Sequence, residues 1–286
     1  MGTSQSNKGS PSNTPMVPPW TPDPLAPDGP PPVTPDGGQP QPDGNQPNDG
    51  EEPRAPEVPI APRGRFGGAR RNISDYAKTG NSDCLSRGLK HYSSKGMGGG
   101  KTAARRLGGT SKTAGQLYNA LTGLSSQAPG QPPVFDKLDK NELQGRSARE
   151  IVNKVVEALS PTDGTQDSEA RKRSIDNALS DLLTTYPDAD LCNLDQEQVE
   201  YSVEAFAIED LLRRFELDLG QTIIDNSPSV PEASKRLKDA KDFIREVARD
   251  SFREIKENNG YLNERNVKKI VNDALETTFD VFGAEE

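Results

Sequence analysis

The chain is poor in the residues that build metal sites, disulfides and histidine-based catalytic groups. Its 286 residues include two cysteines, one histidine and one tryptophan. Cys84 and Cys192 have no CxxC spacing, and His91 has no second histidine with which to form a site. A disulfide scaffold, a zinc site and a Ser-His-Asp arrangement are therefore not indicated. We predict a protein that is not an enzyme, with no catalytic residue, no metal and no cofactor.

Long apolar runs are absent as well. No stretch approaches the roughly 18 consecutive apolar residues of a membrane helix. The N-terminus lacks the charged-then-apolar layout of a secretory signal, so we expect a cytoplasmic protein that does not associate with membranes. Gly2 and Ser6 fit the N-myristoylation pattern, but no polybasic stretch or second acylation signal lies nearby, and a single acyl chain gives only marginal anchoring.

Proline, by contrast, is abundant at the N-terminus. Of the 25 prolines, 18 lie within residues 1–62, among Gly, Asp, Asn and Gln. This segment has too few apolar residues to offset the entropy lost on folding, so it is predicted to be a disordered, extended tail. Within it, Pro18, Pro19 and Trp20 follow Met16 and Val17. We expect this cluster to dock on a partner; the alternative is an incidental exposed tryptophan.

Charge is segregated along the chain. Residues 1–62 carry two basic and eight acidic residues, a net charge of −6, and residues 114–286 carry 21 basic and 34 acidic residues, a net charge of −13. Between them, residues 63–113 carry 12 basic and two acidic residues, a net charge of +10. We predict that this middle segment is a basic, Gly/Arg-rich linker with short helices.

The basic segment has three alternative roles. It could stay solvated or dock on the acidic region of its own chain, contact a protein partner, or bind nucleic acid, whose phosphates attract clustered Lys and Arg. The candidate contact residues are Arg70, Arg71, Lys101, Arg105 and Arg106.

One run inside the basic segment partly matches a phosphate-binding loop. Gly100, Lys101 and Thr102 fit the last three positions of G-x-x-x-x-G-K-[ST]. Lys95 stands where the first glycine is required, and no apolar strand pattern precedes the run. The sequence favours a joint before a short helix over Thr102–Leu107, rather than a nucleotide site.

Residues 114–286 have helical periodicity. Apolar residues recur three and four positions apart, and no alternating strand pattern competes. Ser147, Asp195 and Ser229 fit N-caps, while Asn72 and Ser111 suit two earlier helix starts. We predict an all-α bundle of about five to seven helices, with an acidic all-α domain over 114–286.

Four segments resemble the QatB component of bacterial Qat anti-phage defence systems: Met1–Ser4, Pro15–Trp20, Arg65–Asn72 and Gly99–Gly108. The similarity covers the tail and the basic segment, and residues 114–286 show a general likeness in helix content. QatB-like proteins are encoded with an ATPase, a QueC-like enzyme and a TatD-like nuclease. The resemblance therefore implies a subunit of a multi-component immune complex.

The resemblance also suggests a role for the N-terminal amine. Removal of Met1 would leave Gly2 with an unhindered α-amine, whose ordinary pKa of about 7.7–8.0 keeps a part of it neutral and nucleophilic. QueC-type enzymes use ATP to activate a 7-deazaguanine carboxylate and pass it to an amine. We hypothesise a non-enzymatic adaptor whose Gly2 accepts this base, with Thr3, Ser4 and the Trp20 cluster as the recognition sequence.

Two alternatives stay open for these features. The N-terminus could be an ordinary unstructured start of the chain. The protein could instead be a nucleic-acid-binding or nuclease-recruiting module that acts through residues 63–112.

Overall fold

Helices dominate the part of the chain that the structure describes. The computed structural model describes residues 64–128, 138–160 and 166–284. These residues form eleven α-helices: α1 Gly67–Thr79, α2 Ser82–His91, α3 Gly100–Arg106, α4 Gly108–Ser126, α5 Lys140–Leu143, α6 Ala148–Leu159, α7 Gln166–Thr185, α8 Gln196–Phe215, α9 Gln221–Asn226, α10 Val230–Asn259 and α11 Val267–Ala284. Two π-helical turns, Tyr92–Met97 and Glu216–Gly220, follow α2 and α8.

The prediction of an all-α fold is confirmed. Over the described ranges no β-strand occurs, and seven of the helices have at least 12 residues. Within the same ranges, no helix is both long enough and apolar enough to cross a membrane. The predicted tail, residues 1–62, lies outside the described residues.

The helix starts predicted from capping residues are confirmed for three long helices. Ser147 and Asp195 each form a reciprocal capping box with the residue three positions later, Glu150 and Gln198 respectively. In each box the side chain of the cap residue accepts a hydrogen bond from the backbone N–H of the later residue, whose side chain accepts one from the backbone N–H of the cap residue. Ser229 Oγ accepts a hydrogen bond from the backbone N–H of Glu232 at 3.4 Å, with Pro231 in the first turn of α10. Local sequence alone therefore sets where α6, α8 and α10 begin.

Two predicted starts are wrong. α1 begins at Gly67 rather than after Asn72, whose side-chain amide donates to the carbonyl of Gly68 from inside the helix. α4 begins at Gly108, so Ser111 lies in its first turns instead of capping it. Each helix extends to an earlier residue because tertiary packing, which buries Ala69 of α1 and Thr110 of α4, overrides the weak propensity of the glycines.

Helices α1 to α3 contribute to the same hydrophobic core as the later helices. Ile73, Leu89 and Tyr92 are almost fully buried, and the Tyr92 ring lies 6.0 Å from the ring of Phe215 and 5.9 Å from that of Phe279. The domain boundary expected after residue 113 falls inside α4. Residues 64–113, expected to be a linker, are here part of the packed helical body.

The glycine-rich run ahead of α3 serves chain geometry and close packing. Gly98 and Gly99 have φ of 87° and 84°, in the left-handed region that glycine adopts readily. Gly100 is buried, and a Cβ there would lie 2.6 Å from the carbonyl oxygen of Glu276 and would also clash with the Asp280 carboxylate. The run thus brings α3 against α11, and a π-helical turn rather than a strand precedes it.

Candidate functional site

The residues predicted for partner recognition in the tail cannot be placed. Gly2, Thr3, Ser4, Pro18, Pro19 and Trp20 all lie outside the described residues. Their roles as modification acceptor and recognition sequence stay predictions.

The predicted basic contact residues lie on two helices. Arg70 and Arg71 are on α1, and Lys101 and Arg105 are on α3; all four are exposed. None of the four has an acidic partner within 4 Å in the ranges that the structure describes. Their charges are therefore available to a polyanion or to a protein partner.

The fifth of these residues, Arg106, has a different environment. It is half-buried at the end of α3, and its Nη1 donates a hydrogen bond to the carbonyl oxygen of Gly96 at 3.1 Å. Burial lowers the pKa of Arg106, and the positive charges of Arg65 and Arg214 lower it further. Arg106 thus belongs to a region of concentrated positive charge.

Arg106 lines a small cavity with three other arginines. The cavity measures about 60 Å³ and is bounded by α3, the first turn of α4, α7 and α8. We call it the arginine cavity, defined by its lining residues: Arg106, Leu107, Gly109, Thr110, Ala170, Arg171, Asp210, Arg213, Arg214 and Leu217. Leu217 is 36% exposed, so the cavity reaches the surface.

Local sequence positions the two sides of the arginine cavity. Gly109 in the first turn of α4 has no side chain, and a Cβ there would lie 2.7 Å from Nη2 of Arg171. This glycine therefore lets the Arg171 guanidinium lie against the start of α4. Opposite, consecutive residues Arg213 and Arg214 project from the last turn of α8.

Acidic side chains neutralise part of this positive charge. Nη1 of Arg213 lies 3.3 Å from Glu216, and Nε of Arg214 lies 3.1 Å from Asp218. Asp210 accepts hydrogen bonds from the hydroxyl groups of Thr110 and Ser174, at 2.5 and 3.3 Å.

Arg171 differs from the other arginines of the cavity. Among the described residues it has no acidic partner within 4 Å, and its buried Nε has no hydrogen-bond partner there. The buried Nε of Arg213 likewise lacks a partner in those ranges. The cavity consequently retains an excess of positive charge and unused N–H donors.

A series of contacts through two aromatic side chains leads from Arg214 of the cavity towards α1. Tyr92 Oη donates to Asp218 at 3.0 Å, the same carboxylate that Arg214 contacts. Burial raises the pKa of Tyr92 well above its ordinary value, and the Asp218 charge adds to the rise, so Tyr92 remains a donor. Phe66 stacks on Tyr92 with ring centroids 5.7 Å apart. The Cζ of Arg65 lies 4.5 Å from the Phe66 centroid.

Sequence reasoning found Arg106 but missed Arg171, Arg213 and Arg214. No spacing signal unites the four arginines, because Arg106 is on α3, Arg171 is on α7, and Arg213 and Arg214 are on α8. The adjacent Arg213 and Arg214 are a visible pair, but on a helix surface such a pair is usually solvated.

The described residues contain no group of three or more His, Cys, Asp and Glu side chains that could hold a metal ion. Cys84 and Cys192 are both buried and form no disulfide, and Cys84 Sγ accepts a hydrogen bond from Nη2 of Arg87 at 3.4 Å. Burial raises the pKa of the Cys192 thiol. The Cys192 thiol is therefore poorly placed to act as a nucleophile.

Together, these features define an all-α protein with an exposed basic surface and an arginine-lined cavity. Residues 98–282 match the sequence model of a family described as the Qat anti-phage system associated protein QatB. Since this match spans well over half of the chain, the protein belongs to the QatB family and has a role in the Qat anti-phage system. No curated protein and no solved structure matches the chain.

The residues that match the family model differ from most of the segments in which the sequence resemblance was seen. The family match lies over α3 to α11, where the sequence showed only a general likeness. Of the four segments that suggested the family, Gly99–Gly108 falls inside the match. Helices α3 to α11 therefore carry the family signal.

Proposed function

We propose that this chain is a non-enzymatic adaptor or substrate subunit of the multi-component Qat complex. The observation that carries the proposal is the QatB family match over residues 98–282. In this proposal the helical body binds the other components of the system. The first of these partners is a QueC-like enzyme, and the others are the ATPase and the TatD-like nuclease. The N-terminal segment presents Gly2 to the QueC-like enzyme.

The proposed modification joins a 7-deazaguanine base to Gly2 by an amide bond. After removal of Met1, the neutral α-amine of Gly2 attacks the carbonyl carbon of the ATP-activated carboxylate. The activating group leaves as the amide bond forms, and the amine loses a proton. Support comes from the sequence: glycine leaves the amine unhindered, and Thr3 and Ser4 add little bulk beside it.

Intact-mass analysis tests the modification. The chain is purified with and without co-expression of its neighbouring gene products, and co-expression is expected to add mass beyond the loss of Met1. Fragmentation should place the added mass on Gly2 rather than on Lys8, the one lysine within residues 1–62. A mass that shows only Met1 loss in both preparations would refute the modification.

Recognition through Trp20 is tested separately. Because aromatic anchors dominate interface energetics, Trp20→Ala is expected to abolish association with the QueC-like partner and leave the melting temperature of the helical body unchanged. Trp20 is the sole tryptophan, so its emission should shift to the blue when the partner is added. An unchanged spectrum in a confirmed complex would remove Trp20 from the interface.

A second candidate function is nucleic-acid binding through the basic helices α1 and α3. It is favoured by the exposure of Arg70, Arg71, Lys101 and Arg105 without acidic partners in the described ranges. Such binding should weaken steeply with salt and be lost when these four residues are replaced by alanine. Absence of binding to single- and double-stranded nucleic acid at low salt would exclude it.

A further inference from the structure

The arginine cavity has the features of an oxyanion site. Four arginines from three helices line a space of about 60 Å³. Asp210 is the one carboxylate among the lining residues, so the lining carries more positive than negative charge. Glu216 pairs with Arg213, Asp218 pairs with Arg214, and Arg106 donates a hydrogen bond to the carbonyl oxygen of Gly96. Arg171 has no acidic partner within 4 Å among the described residues. An isolated half-buried guanidinium is costly unless a counter-ion compensates it, so the cavity is electrostatically suited to an anion.

The donors in the cavity also suit an oxygen-rich ligand. The buried Nε atoms of Arg171 and Arg213 have no partner within the described ranges. Guanidinium groups offer N–H donors in a planar fork that matches the oxygens of phosphate and carboxylate.

The start of α4 adds to this arrangement. Leu107 precedes the helix and provides no side-chain hydrogen bond to its first turn. The backbone N–H of Thr110 already donates to the carbonyl oxygen of Leu107 at 2.8 Å, so the contribution of this turn is the partial positive charge that the helix dipole places there. Because Gly109 lacks a Cβ, the Arg171 guanidinium can lie beside this turn, so that both sources of positive charge reach the same space.

We propose that the arginine cavity binds a phosphate-class oxyanion, either free inorganic phosphate or the phosphate of a mononucleotide. Arg171 supplies the principal uncompensated charge, Arg213 supplies a further N–H donor, and the first turn of α4 contributes its positive end. This site is distinct from the proposed Gly2 acceptor and does not depend on it.

Calorimetric titration of the full chain with inorganic phosphate and with AMP, at constant ionic strength, tests the proposal. Loss of a charge-assisted hydrogen bond predicts that Arg171→Gln weakens phosphate binding by about tenfold or more. The matched control is Arg173→Gln, which removes the same charge from an exposed position two residues away on α7. This control should bind phosphate as the wild-type protein does.

A second pair of variants leaves the net charge unchanged. Gly109→Ala places a methyl group 2.7 Å from Nη2 of Arg171, so the guanidinium must move, and the variant should also weaken phosphate binding. Gly108→Ala, where a Cβ meets no atom within 4 Å, should not. Circular dichroism melting confirms that each variant is folded, and the glycine pair still decides the question if Arg171→Gln fails to fold.

The titrations distinguish three results: binding of the phosphate group alone, binding of a nucleotide, and the absence of the proposed site. Equal affinity for phosphate and AMP, with competition between them, identifies the phosphate group alone as the ligand. Tighter binding of AMP identifies a nucleotide. No binding of either ligand at millimolar concentration, or equal weakening by Arg171→Gln and Arg173→Gln, would overturn the proposal.

Discussion

At the scale of single residues, Gly100 allows two helices to pack closely. Gly100 lies where α3 meets α11, and an added Cβ would be 2.6 Å from the backbone oxygen of Glu276. Backbone cannot move aside as a flexible side chain can. The glycine is therefore a structural requirement of this contact, although its place in a Gly-Lys-Thr run first suggests phosphate binding.

We predict that Gly100→Ala lowers the free energy of unfolding by about 1–3 kcal/mol, the usual cost of overpacking a buried contact. Urea denaturation measures the change. The control is Gly67→Ala, at the start of α1, where a Cβ meets nothing within 4 Å. Equal stability of the two variants would contradict the close contact between α3 and α11.

Tyr76 gives a pH-dependent prediction. Its hydroxyl donates to the carbonyl oxygen of Arg236 at 3.0 Å, which joins α1 to α10. Burial, with a smaller contribution from the Asp239 charge, raises the pKa of Tyr76 from 10.0 to about 12. The folded state therefore holds this proton more tightly than the unfolded state, so the associated stability is present below pH 10 and is lost between pH 10 and about 12.

We expect the free energy of unfolding to fall less steeply over this pH range in Tyr76→Phe than in the wild-type protein. At neutral pH the same variant should lose about 1 kcal/mol with the hydrogen bond. Denaturant titrations at several pH values measure both effects. Tyr261→Phe, at a side chain that is 80% exposed, is the control and should follow the wild-type curve; parallel curves for all three proteins would contradict the assignment.

At the scale of helices, the caps are the features that local sequence encodes most directly. Asp195 and Gln198 form a reciprocal box at the start of α8, with Asp195 accepting from the Gln198 N–H at 2.8 Å. α8 runs through the core and also carries Asp210, Arg213 and Arg214 of the arginine cavity. Loss of its cap should therefore reduce the stability of the whole fold.

We predict that Asp195→Ala lowers the free energy of unfolding by about 1 kcal/mol. The matched control is Asp188→Ala, which removes the same charge from an exposed position in the preceding loop. Thermal or denaturant unfolding of both variants gives the comparison. A loss of the same size in Asp188→Ala would show that charge, rather than capping, is responsible.

At the scale of the whole molecule, helices α1 to α3 belong to the packed body. Ile73 of α1, Leu89 of α2 and Ala103 of α3 are buried in the same cluster as Phe215 and the side chains of α11. Their backbones should therefore resist proteases even though Arg70, Arg71, Lys101 and Arg105 have exposed side chains.

We predict that trypsin cuts after Arg54 and Arg63 long before it cuts after these four exposed residues, because the sequence predicts no folded structure over 1–62. Mass spectrometry of a digestion time course gives the order of cleavage. Early cleavage after Lys101 or Arg105 would show that residues 63–113 behave as the linker expected from composition.

The sequence by itself determined the fold class, the starts of α6, α8 and α10, and the family. Helical periodicity and the caps Ser147, Asp195 and Ser229 depend on residues within a few positions of one another, so they can be read locally. Tertiary structure alone decided that the basic segment joins the core and that Arg106 meets Arg171, Arg213 and Arg214 around one cavity. The physical reason is that these contacts depend on how distant helices pack against one another, and no local spacing encodes that arrangement.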